Sequence, residues 1–363
     1  MEQQCGNREE RKPENRRGAC VTRPFGCCAA YERFRESRAA GVAQLGGREP
    51  ADPRDVREFS DRSHLVATPR PARVALRYHP FAATMLSLRD IHKRFGATTA
   101  VDGLSLEVRA GEVFGLLGPN GAGKSTTIAI TTGLLAPDSG SVDLLGLGSP
   151  ADPRVRMHLG LAPQEITLYG ELTARENLLF FARLYGIASP RARVDELLAT
   201  VELDTRAKDR AATFSGGMKR RLNLAAALVH DPKLVLLDEP TAGVDPQSRN
   251  RILELVRALA ASGKTIVYTT HYMEEAAKIC DRVGVVDHGR MLDIGTVPEL
   301  IARHGGQSAV TVTRGEVDER VLTDDPVGEV TRQFAGGGVT GVRVERPDLE
   351  AVFLALTGRS LRE

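Results

Sequence analysis

The segment that most limits what this chain can fold into is a glycine-rich loop, Gly118–Thr126, with the sequence GPNGAGKST. It lies between an apolar run, Val113–Leu117, and a segment typical of the start of a helix. Glycines allow the backbone to turn so sharply that several N–H groups point at one anion, and a helix N-terminus adds partial positive charge. Lys124 suits β- and γ-phosphates, and the Ser125 hydroxyl suits Mg²⁺. The segment therefore predicts nucleotide binding on a strand–loop–helix unit.

The composition is that of an ordinary globular protein. The 363 residues leave room for about two domains, and 42% of them are hydrophobic and 26% charged. Residues 1–84 hold 16 Lys and Arg against 11 Asp and Glu, whereas the remainder holds 33 against 36. The main body is therefore slightly acidic, which disfavours a nucleic-acid partner.

The sequence shows neither a membrane span nor a signal peptide. No apolar run approaches the roughly 18 residues that cross a bilayer, and the N-terminus is polar throughout. Four of the five cysteines lie before residue 30, and the adjacent pair Cys27 and Cys28 has no nearby histidine. We therefore expect a cytosolic protein without a metal site at these cysteines.

Pattern and composition divide the chain into three parts. Residues 1–84 are rich in Arg, Pro, Gly and Glu without periodicity, which predicts disorder; a translated leader before a true start at Met85, or a basic regulatory arm, are the alternatives. Strand and helix patterns alternate over residues 85–304, which predicts an α/β domain with a largely parallel sheet. Residues 305–363 predict a small α+β appendage.

The expected elements can be stated as ranges. The strands of the α/β part are Ser105–Arg109, Glu112–Leu117, Leu234–Leu237, Thr265–Thr269 and Arg282–Asp287, after an alternating strand that opens at Met85. Its helices are Thr173–Tyr185, Val194–Val201, Met218–Val229, Gln247–Ala261 and Met273–Cys280. The appendage has strands Ser308–Thr313 and Val339–Glu345 and helices Val327–Phe334 and Asp348–Leu356.

A buried strand ends in two carboxylates. Leu234–Leu237 is followed by Asp238, Glu239 and Pro240, and ligands of open α/β sheets bind at the carboxyl ends of strands. We expect Asp238 to hold Mg²⁺, directly or through water, and Glu239 to polarise the water that attacks a γ-phosphate. A strand that simply ends in solvated charge is the alternative.

Three further motifs are ambiguous when taken singly. Ser215 is a good N-cap, and Gly216 and Gly217 leave the helix start open to an anion, although a plain capped helix has the same pattern. The Gln164 amide, in a loop after a strand, can contact Mg²⁺ or the attacking water. His271, also after a strand, can donate to a γ-phosphate or have a structural role.

An aromatic residue and a turn complete the set. Phe95 can stack on an adenine, with a place in the core as the equal alternative. The turn at Asp245 closely follows the carboxylate pair and is a candidate contact with a partner chain. The phosphate loop, the glutamine, Ser-Gly-Gly, Asp-Glu, the Asp turn and the histidine occur in that order from Gly118 to His271. The ordered set is far more specific than any of its members.

This set resembles the ATP-binding cassette of ABC transporters, over about residues 86–303. Ser215–Leu222, Thr241–Pro246 and the tail Leu349–Gly358 are similar to the ATP-binding subunits of ABC-2-type exporters, the daunorubicin-resistance-like group. Met218 and Phe214 stand where the wider family more often has glutamine and leucine, but both occur in this subgroup. Residues 1–84 have no counterpart in the family.

The resemblance implies a P-loop NTPase fold of the cassette type, with a mixed central sheet and a helical subdomain. It implies an ATPase that uses ATP and Mg²⁺ as a head-to-tail homodimer, in which Ser215–Gly217 of one copy cover the nucleotide of the other. It also implies a separate integral membrane permease and a position at the cytoplasmic face of the cell membrane. The acidic main body, as noted above, predicts no nucleic-acid partner. The apolar residues Ile166, Leu168 and Tyr169 suit a contact with the permease, or else packing inside the helical subdomain.

The candidate site residues fall into three groups. Hydrolysis is expected to involve Glu239, His271 and Gln164, and metal binding Ser125, Gln164 and Asp238. The expected nucleotide-binding residues are Phe95, Gly118, Pro119, Asn120, Gly121, Ala122, Gly123, Lys124, Ser125, Thr126, Ser215, Gly216 and Gly217.

Two other protein classes share parts of this pattern. Soluble cassette ATPases of translation or DNA repair usually carry two cassettes or a long coiled-coil insertion. This sequence has one phosphate loop and no such insertion. P-loop kinases and GTPases leave the Ser-Gly-Gly helix unexplained, and the guanine-reading Asn-Lys-x-Asp pattern is absent. The transported substrate is not encoded in any of these motifs; the subgroup resemblance points only to drugs, antibiotics or lipids.

Overall fold

The computed structural model describes residues 83–358. The disorder predicted for residues 1–84 lies outside this range, apart from its last two residues, and the first strand begins at Thr84. The strands are β1 Thr84–Phe95, β2 Thr98–Arg109, β3 Val113–Leu117, β4 Ser139–Leu144, β5 Leu159–Ala162, β6 Leu234–Asp238, β7 Thr265–Thr270, β8 Arg282–Asp287, β9 Arg290–Gly295, β10 Ser308–Arg314, β11 Val317–Thr323 and β12 Gly341–Glu345. The helices are α1 Lys124–Thr131, α2 Pro153–Arg156, α3 Ala174–Leu184, α4 Pro190–Thr200, α5 Gly216–Ala227, α6 Pro246–Ala261, α7 Met273–Ile279, α8 Val297–His304, α9 Pro326–Ala335 and α10 Leu349–Thr357.

The central sheet has six strands in the order β5-β6-β7-β3-β8-β9. The first five are parallel and β9 runs antiparallel to β8, so the predicted mixed α/β sheet is confirmed. Every residue of β3, β6 and β7 is buried, as expected for strands covered on both faces. Because these strands are parallel, their carboxyl ends meet at one edge, where the phosphate loop and the Asp-Glu pair follow them.

A second, antiparallel sheet covers one face of the central sheet. Its order is β2-β1-β4, and its apolar residues form one core with α1 and with side chains of β3, β6 and β7. The sequence analysis placed a strand in the second half of β2, and the structure extends it back to Thr98.

Helices cover the other face of the central sheet. Helices α3, α4, α5 and α6 pack around a large core that includes Val235, Leu237 and Tyr268 of the sheet. Helix α3 begins with a capping box, in which Thr173 and Glu176 satisfy each other's backbone N–H groups. This group of helices is the expected helical subdomain, and it places α5 with its exposed N-terminus beside the sheet.

The last 50 or so described residues form a third sheet, in the order β11-β10-β12, with α9 beside it. Helix α10 returns to the α/β part, where Leu349, Val352 and Phe353 pack with Val283 and Leu300. A boundary at residues 304 and 305 stays a prediction, since this core includes residues from both sides of it. No helix within residues 83–358 has the length and apolar character that spanning a bilayer requires.

Candidate active site

The phosphate loop connects β3 to α1 and depends on its glycines. Gly121 and Gly123 have φ values of 82° and 100°, a region that favours glycine. A Cβ atom on Gly118 would lie 2.2 Å from the Val286 carbonyl oxygen, and one on Gly123 would lie 2.4 Å from that of Ala100. Strands β8 and β2 therefore press directly on the loop and define its shape.

Lys124 opens α1 and its side chain is only 4% exposed. Its ammonium group donates to the carbonyl oxygens of Gly118 at 2.8 Å and Pro119 at 2.9 Å. The same Nζ atom lies 3.1 Å from Oε1 of Glu239. The lysine therefore joins the phosphate loop to the carboxylate pair, while Ser125 beside it is exposed at the mouth of the loop.

The two carboxylates at the end of β6 are buried and are positioned by β7. Asp238 lies opposite Thr269 in the β6–β7 register. The Thr269 hydroxyl donates to Asp238 Oδ1 at 2.6 Å and accepts from the Glu239 N–H at 2.9 Å. Glu239 has a φ of 45°, which is unfavourable for a residue with a side chain and is typical of strained functional positions.

Three predicted residues meet at the Glu239 carboxylate. Besides Lys124 on Oε1, the Gln164 amide donates to Oε2 at 3.5 Å, and His271 Nδ1 lies 3.2 Å from the same oxygen. This His271 nitrogen is buried and has no hydrogen-bond partner among residues 83–358. The structure thus brings together residues from four separate strand ends around one carboxylate.

Sequence reasoning missed Arg220, which supports the Gln164 loop. Its guanidinium group donates to the Gln164 carbonyl oxygen, and to that of Ala242 at 3.1 Å. Burial lowers the pKa of Arg220 from its usual value, and the nearby Glu239 carboxylate acts in the opposite direction. Like Thr269, Arg220 has no motif of its own, because its role depends on which loops α5 meets in space.

The Ser-Gly-Gly segment lies apart from the phosphate loop of its own chain. Ser215 caps α5 by accepting from the Met218 N–H at 3.3 Å, and Ser215 and Gly216 are exposed. Gly217 is buried, and a Cβ atom there would lie 2.2 Å from Ser248 Oγ of α6. In the described part of the chain, no hydrogen bond or ion pair joins Ser215–Gly217 to Gly118–Thr126.

The structure also locates the aromatic residue and the turn. Phe95, at the end of β1, is 51% exposed, so a place in the core is excluded, and adenine stacking stays a prediction. Asp245 is exposed and caps α6 by accepting from the Ser248 N–H at 2.9 Å, which lowers the pKa of Asp245. It therefore remains a carboxylate at neutral pH, exposed at the start of α6, the helix against which α5 packs.

The apolar residues after Gln164 behave differently from one another. Ile166 is exposed, whereas Leu168 packs against the helical core. The Tyr169 ring lies 4.9 Å from that of Phe180, edge to face. Packing inside the helical subdomain therefore accounts for Leu168 and Tyr169, and Ile166 remains a candidate contact with another protein.

Comparison with known proteins identifies similar chains along most of this length. A family model described as ABC transporter matches residues 101–242. The linearmycin resistance ATP-binding protein of Bacillus subtilis (strain 168) is 43% identical over 312 residues, which cover 77% of this chain and 100% of that protein. The Nod factor export ATP-binding protein I of Rhizobium sp. (strain N33) is 41% identical over 300 residues, covering 77% and 98%.

Solved structures similar to this chain are also ATP-binding cassettes. An ATP-binding subunit of an ABC transporter superimposes with a TM-score of 0.55 at 31% identity, covering 61% of this chain and 93% of that one. An ATP-binding cassette solved as a dimer in a post-hydrolysis state with ADP and Pi gives a TM-score of 0.54 at 28% identity, covering 58% and 98%.

Proposed function

The chain belongs to the ATP-binding subunits of ABC transporters, and on this premise we propose that its ATP hydrolysis drives export through a separate membrane permease. The relatives described above are an antibiotic-resistance protein and Nod factor exporters, each an ATP-binding protein by name. The observation that carries the proposal is the convergence of Lys124, Gln164 and His271 on Glu239.

The phosphate loop is proposed to hold the phosphates of ATP, with Phe95 against the adenine. Loop N–H groups and the start of α1 supply positive potential, and Lys124 adds a full charge. Lys124 and Glu239 are 3.1 Å apart. Phosphate oxygens would compete with Glu239 for this lysine, so nucleotide binding would leave the carboxylate able to accept a proton from water.

The donor set at the loop suits Mg²⁺. Ser125 and Asp238 offer the hydroxyl and carboxylate oxygens that this ion prefers, and Gln164 offers an amide oxygen. No cluster of three or more His, Cys, Asp or Glu side chains suited to a metal ion occurs in the described range. Mg²⁺ held mainly by the nucleotide, with few protein ligands, fits such a site; when bound, it would neutralise charge on the phosphates.

Glu239 is the proposed base and His271 the proposed donor to the γ-phosphate. Glu239 is buried, Thr269 holds its backbone N–H and Gln164 donates to its carboxylate, so the carboxylate can orient a water molecule with little reorganisation. His271 Nδ1, which has no hydrogen-bond partner in the described part of the chain, lies beside it and can donate to a phosphate oxygen.

A second copy of the chain is the proposed cover for the nucleotide. Exposed Ser215 and Gly216 open α5, and a helix N-terminus attracts phosphate. Within residues 83–358 no hydrogen bond or ion pair joins them to the phosphate loop of their own chain, which supports a head-to-tail homodimer. The permease is then a third component, which would place the complex at the cytoplasmic face of the membrane, with Ile166 as one contact; no nucleic acid takes part.

Co-expression with a candidate permease, chosen as a multi-helix membrane protein from a neighbouring reading frame, tests the proposal. We expect the two proteins to purify together and the permease to be active only with ATP and an intact Glu239. Purification with ribosomes or DNA, and no association with a membrane protein, would contradict the transport function while leaving the ATPase unaffected.

A further inference from the structure

Glu275 is a buried carboxylate that the proposed hydrolysis does not use. It lies in the first turn of α7 and is 2% exposed. Its oxygens accept from the Thr241 hydroxyl at 2.8 and 2.9 Å, from the Tyr268 hydroxyl at 2.8 Å and from the Thr270 hydroxyl at 3.0 Å. One side chain thus gathers three hydroxyl groups from the loop after β6 and from β7.

Two of these partners adjoin the proposed hydrolysis residues. Thr241 follows Glu239 by two positions, and Thr270 directly precedes His271. The Thr270 hydroxyl also accepts from the Tyr272 N–H at 2.9 Å, on the other side of His271. Glu275 therefore holds the two backbone segments that carry Glu239 and His271, whose side chains lie next to each other in the site.

The contacts of this cluster satisfy the buried Glu275 carboxyl group. A buried carboxylate is costly unless its oxygens are satisfied, and here three hydroxyls and a cation surround it. Burial, with the added effect of Glu275, raises the pKa of Tyr268 well above its usual value, so the phenol keeps its proton and donates. Arg249 Nε lies 3.4 Å from Glu275 Oε1.

Arg249 connects the cluster to a third element. It lies on α6, the helix that Asp245 caps, and its guanidinium carbon is 4.4 Å from the ring centre of Tyr272. The Tyr272 ring in turn lies 4.0 Å from the His271 ring. The Tyr272 ring therefore also restricts the position of the His271 ring.

We propose that Glu275 is a positioning residue for ATP hydrolysis, which fixes Glu239 and His271 relative to each other through Thr241 and Thr270 without touching either. The distance at stake is the 3.2 Å between Glu239 Oε2 and His271 Nδ1. The inference rests on the proposed roles of Glu239 and His271. The role concerns the position of these groups rather than nucleotide binding, since none of the side chains that contact Glu275 in the described range belongs to the phosphate loop. The one direct link is through the backbone, where the Thr270 carbonyl oxygen accepts from the Gly118 N–H at 3.3 Å.

The test compares Glu275→Gln with Glu112→Gln in the full chain. Glu112 is a matched control: it is also a buried carboxylate, 8% exposed, bound to the Arg109 N–H at 2.7 Å and to Arg282 at 3.3 Å, and it lies at the opposite end of β3 from the phosphate loop. We expect Glu275→Gln to lower kcat by about 10- to 100-fold, because small displacements of reacting groups have effects of this size. KM and ATP affinity should stay within about twofold of the wild type, and Glu112→Gln should keep its kcat although both variants melt at lower temperature.

A second set of variants keeps the test decisive if Glu275→Gln folds poorly. Thr241→Val removes one arm of the cluster and should lower kcat, whereas Thr241→Ser keeps the hydroxyl and should restore it. Added to Glu275→Gln, Thr241→Val should have a smaller effect than in the wild type, because both changes break the same contact.

Each outcome decides between a positioning role and a merely structural one. A wild-type kcat in Glu275→Gln or Thr241→Val, or an equal loss of kcat in Glu112→Gln, would overturn the positioning role of Glu275 and leave the proposed function standing. A wild-type chain that binds ATP without hydrolysing it would overturn the proposed function, and the inference with it.

Discussion

At the scale of single residues, Glu239 shows how much of the site depends on contacts that no motif announces. The Asp-Glu pair, the glutamine and the histidine were predicted from their places after strands. Thr269, which holds both Asp238 and the Glu239 backbone, was not, because its role requires the β6–β7 register. A threonine inside an apolar strand has no sequence signal that separates it from ordinary strand composition.

Replacement of Glu239 by glutamine should separate binding from turnover. The amide keeps the size of the side chain but cannot accept a proton from water, so we expect kcat to fall by about 10²- to 10⁴-fold while ATP still binds. ATP should then trap a stable dimer. Phosphate release and sedimentation with Mg-ATP measure both effects.

Glu254→Gln, on an exposed part of α6, is the matched control and should hydrolyse ATP like the wild type. Normal phosphate release by Glu239→Gln would remove Glu239 from the proposed mechanism. A variant that stays monomeric with bound ATP would instead argue against the head-to-tail dimer.

At the scale of secondary-structure elements, apolar periodicity located the buried strands and helices. It did not locate an element that is largely charged and exposed. All ten strands and helices given as ranges for the α/β part lie on elements of the same kind. Strand β11, with the sequence VDERVLT, was missed because five of its seven residues are exposed and it lacks apolar alternation. Such strands form because a neighbour, here β10, offers backbone partners.

The α5–α6 contact offers a test with adjacent glycines. Gly217→Ala would place a Cβ atom 2.2 Å from Ser248 Oγ, whereas the nearest atom to a Cβ on Gly216 is 3.9 Å away. We expect Gly217→Ala to lower the free energy of unfolding by about 1–3 kcal/mol through overpacking. Gly216→Ala should be neutral or slightly stabilising. Urea denaturation measures both, and equal stability of the two variants would show that α5 can shift freely on α6.

The junction of α3, α5 and β5 predicts a pH-dependent stability. His230 lies 3.8 Å from the Tyr185 ring in a stacked geometry, and its Nε2 atom is 3.0 Å from the Leu159 carbonyl oxygen. Burial lowers the pKa of His230 from 6.5, while Leu159 and Asp231 act in the opposite direction. The unfolded chain therefore binds this proton at a higher pH than the folded chain, and stability is lost as the pH falls below about 6.5.

Urea denaturation between about pH 7.5 and 5.5 measures this effect. One proton accounts for a slope of at most about 1.4 kcal/mol per pH unit. His230→Phe should keep the stacking and lose this part of the slope, whereas replacement of the 79% exposed His288 by glutamine should retain it. An unchanged slope in His230→Phe would assign the pH dependence to other groups.

At the scale of the whole molecule, the C-terminal part shares a core with the α/β part. Phe353 and Val352 of α10 pack with Val283 and Val285 of β8 and with Leu300 of α8. The sequence predicted this helix and the composition of the appendage. It did not predict the docking, because an amphipathic helix does not specify which surface covers its apolar side.

Truncation of Phe353 tests the shared core. Phe353 is 1% exposed, and we expect Phe353→Ala to lower the free energy of unfolding by about 3–5 kcal/mol. Leu354 beside it is 49% exposed, so Leu354→Ala should change stability by less than about 0.5 kcal/mol. Thermal unfolding of the full chain measures both; separate loss of the C-terminal part, with the remaining transition unchanged, would show that the two parts fold independently.

The sequence by itself determined the chemistry available to this protein. Two short segments carry this chemistry: the glycines, lysine and hydroxyl residues of Gly118–Thr126, and the carboxylates that follow Leu237. Because the residues of each segment are near neighbours along the chain, their spacing is enough to predict a phosphate loop and an acidic strand end. Only the tertiary structure decided which of these groups meet. Parallel pairing brings the carboxyl ends of β3, β5, β6 and β7 to one edge of the sheet, and this places Lys124, Gln164 and His271 around Glu239. It also places Glu275 in contact with Thr241 and Thr270. Contacts of this kind depend on strand order and register. Both are determined by packing among side chains that are far apart in the sequence.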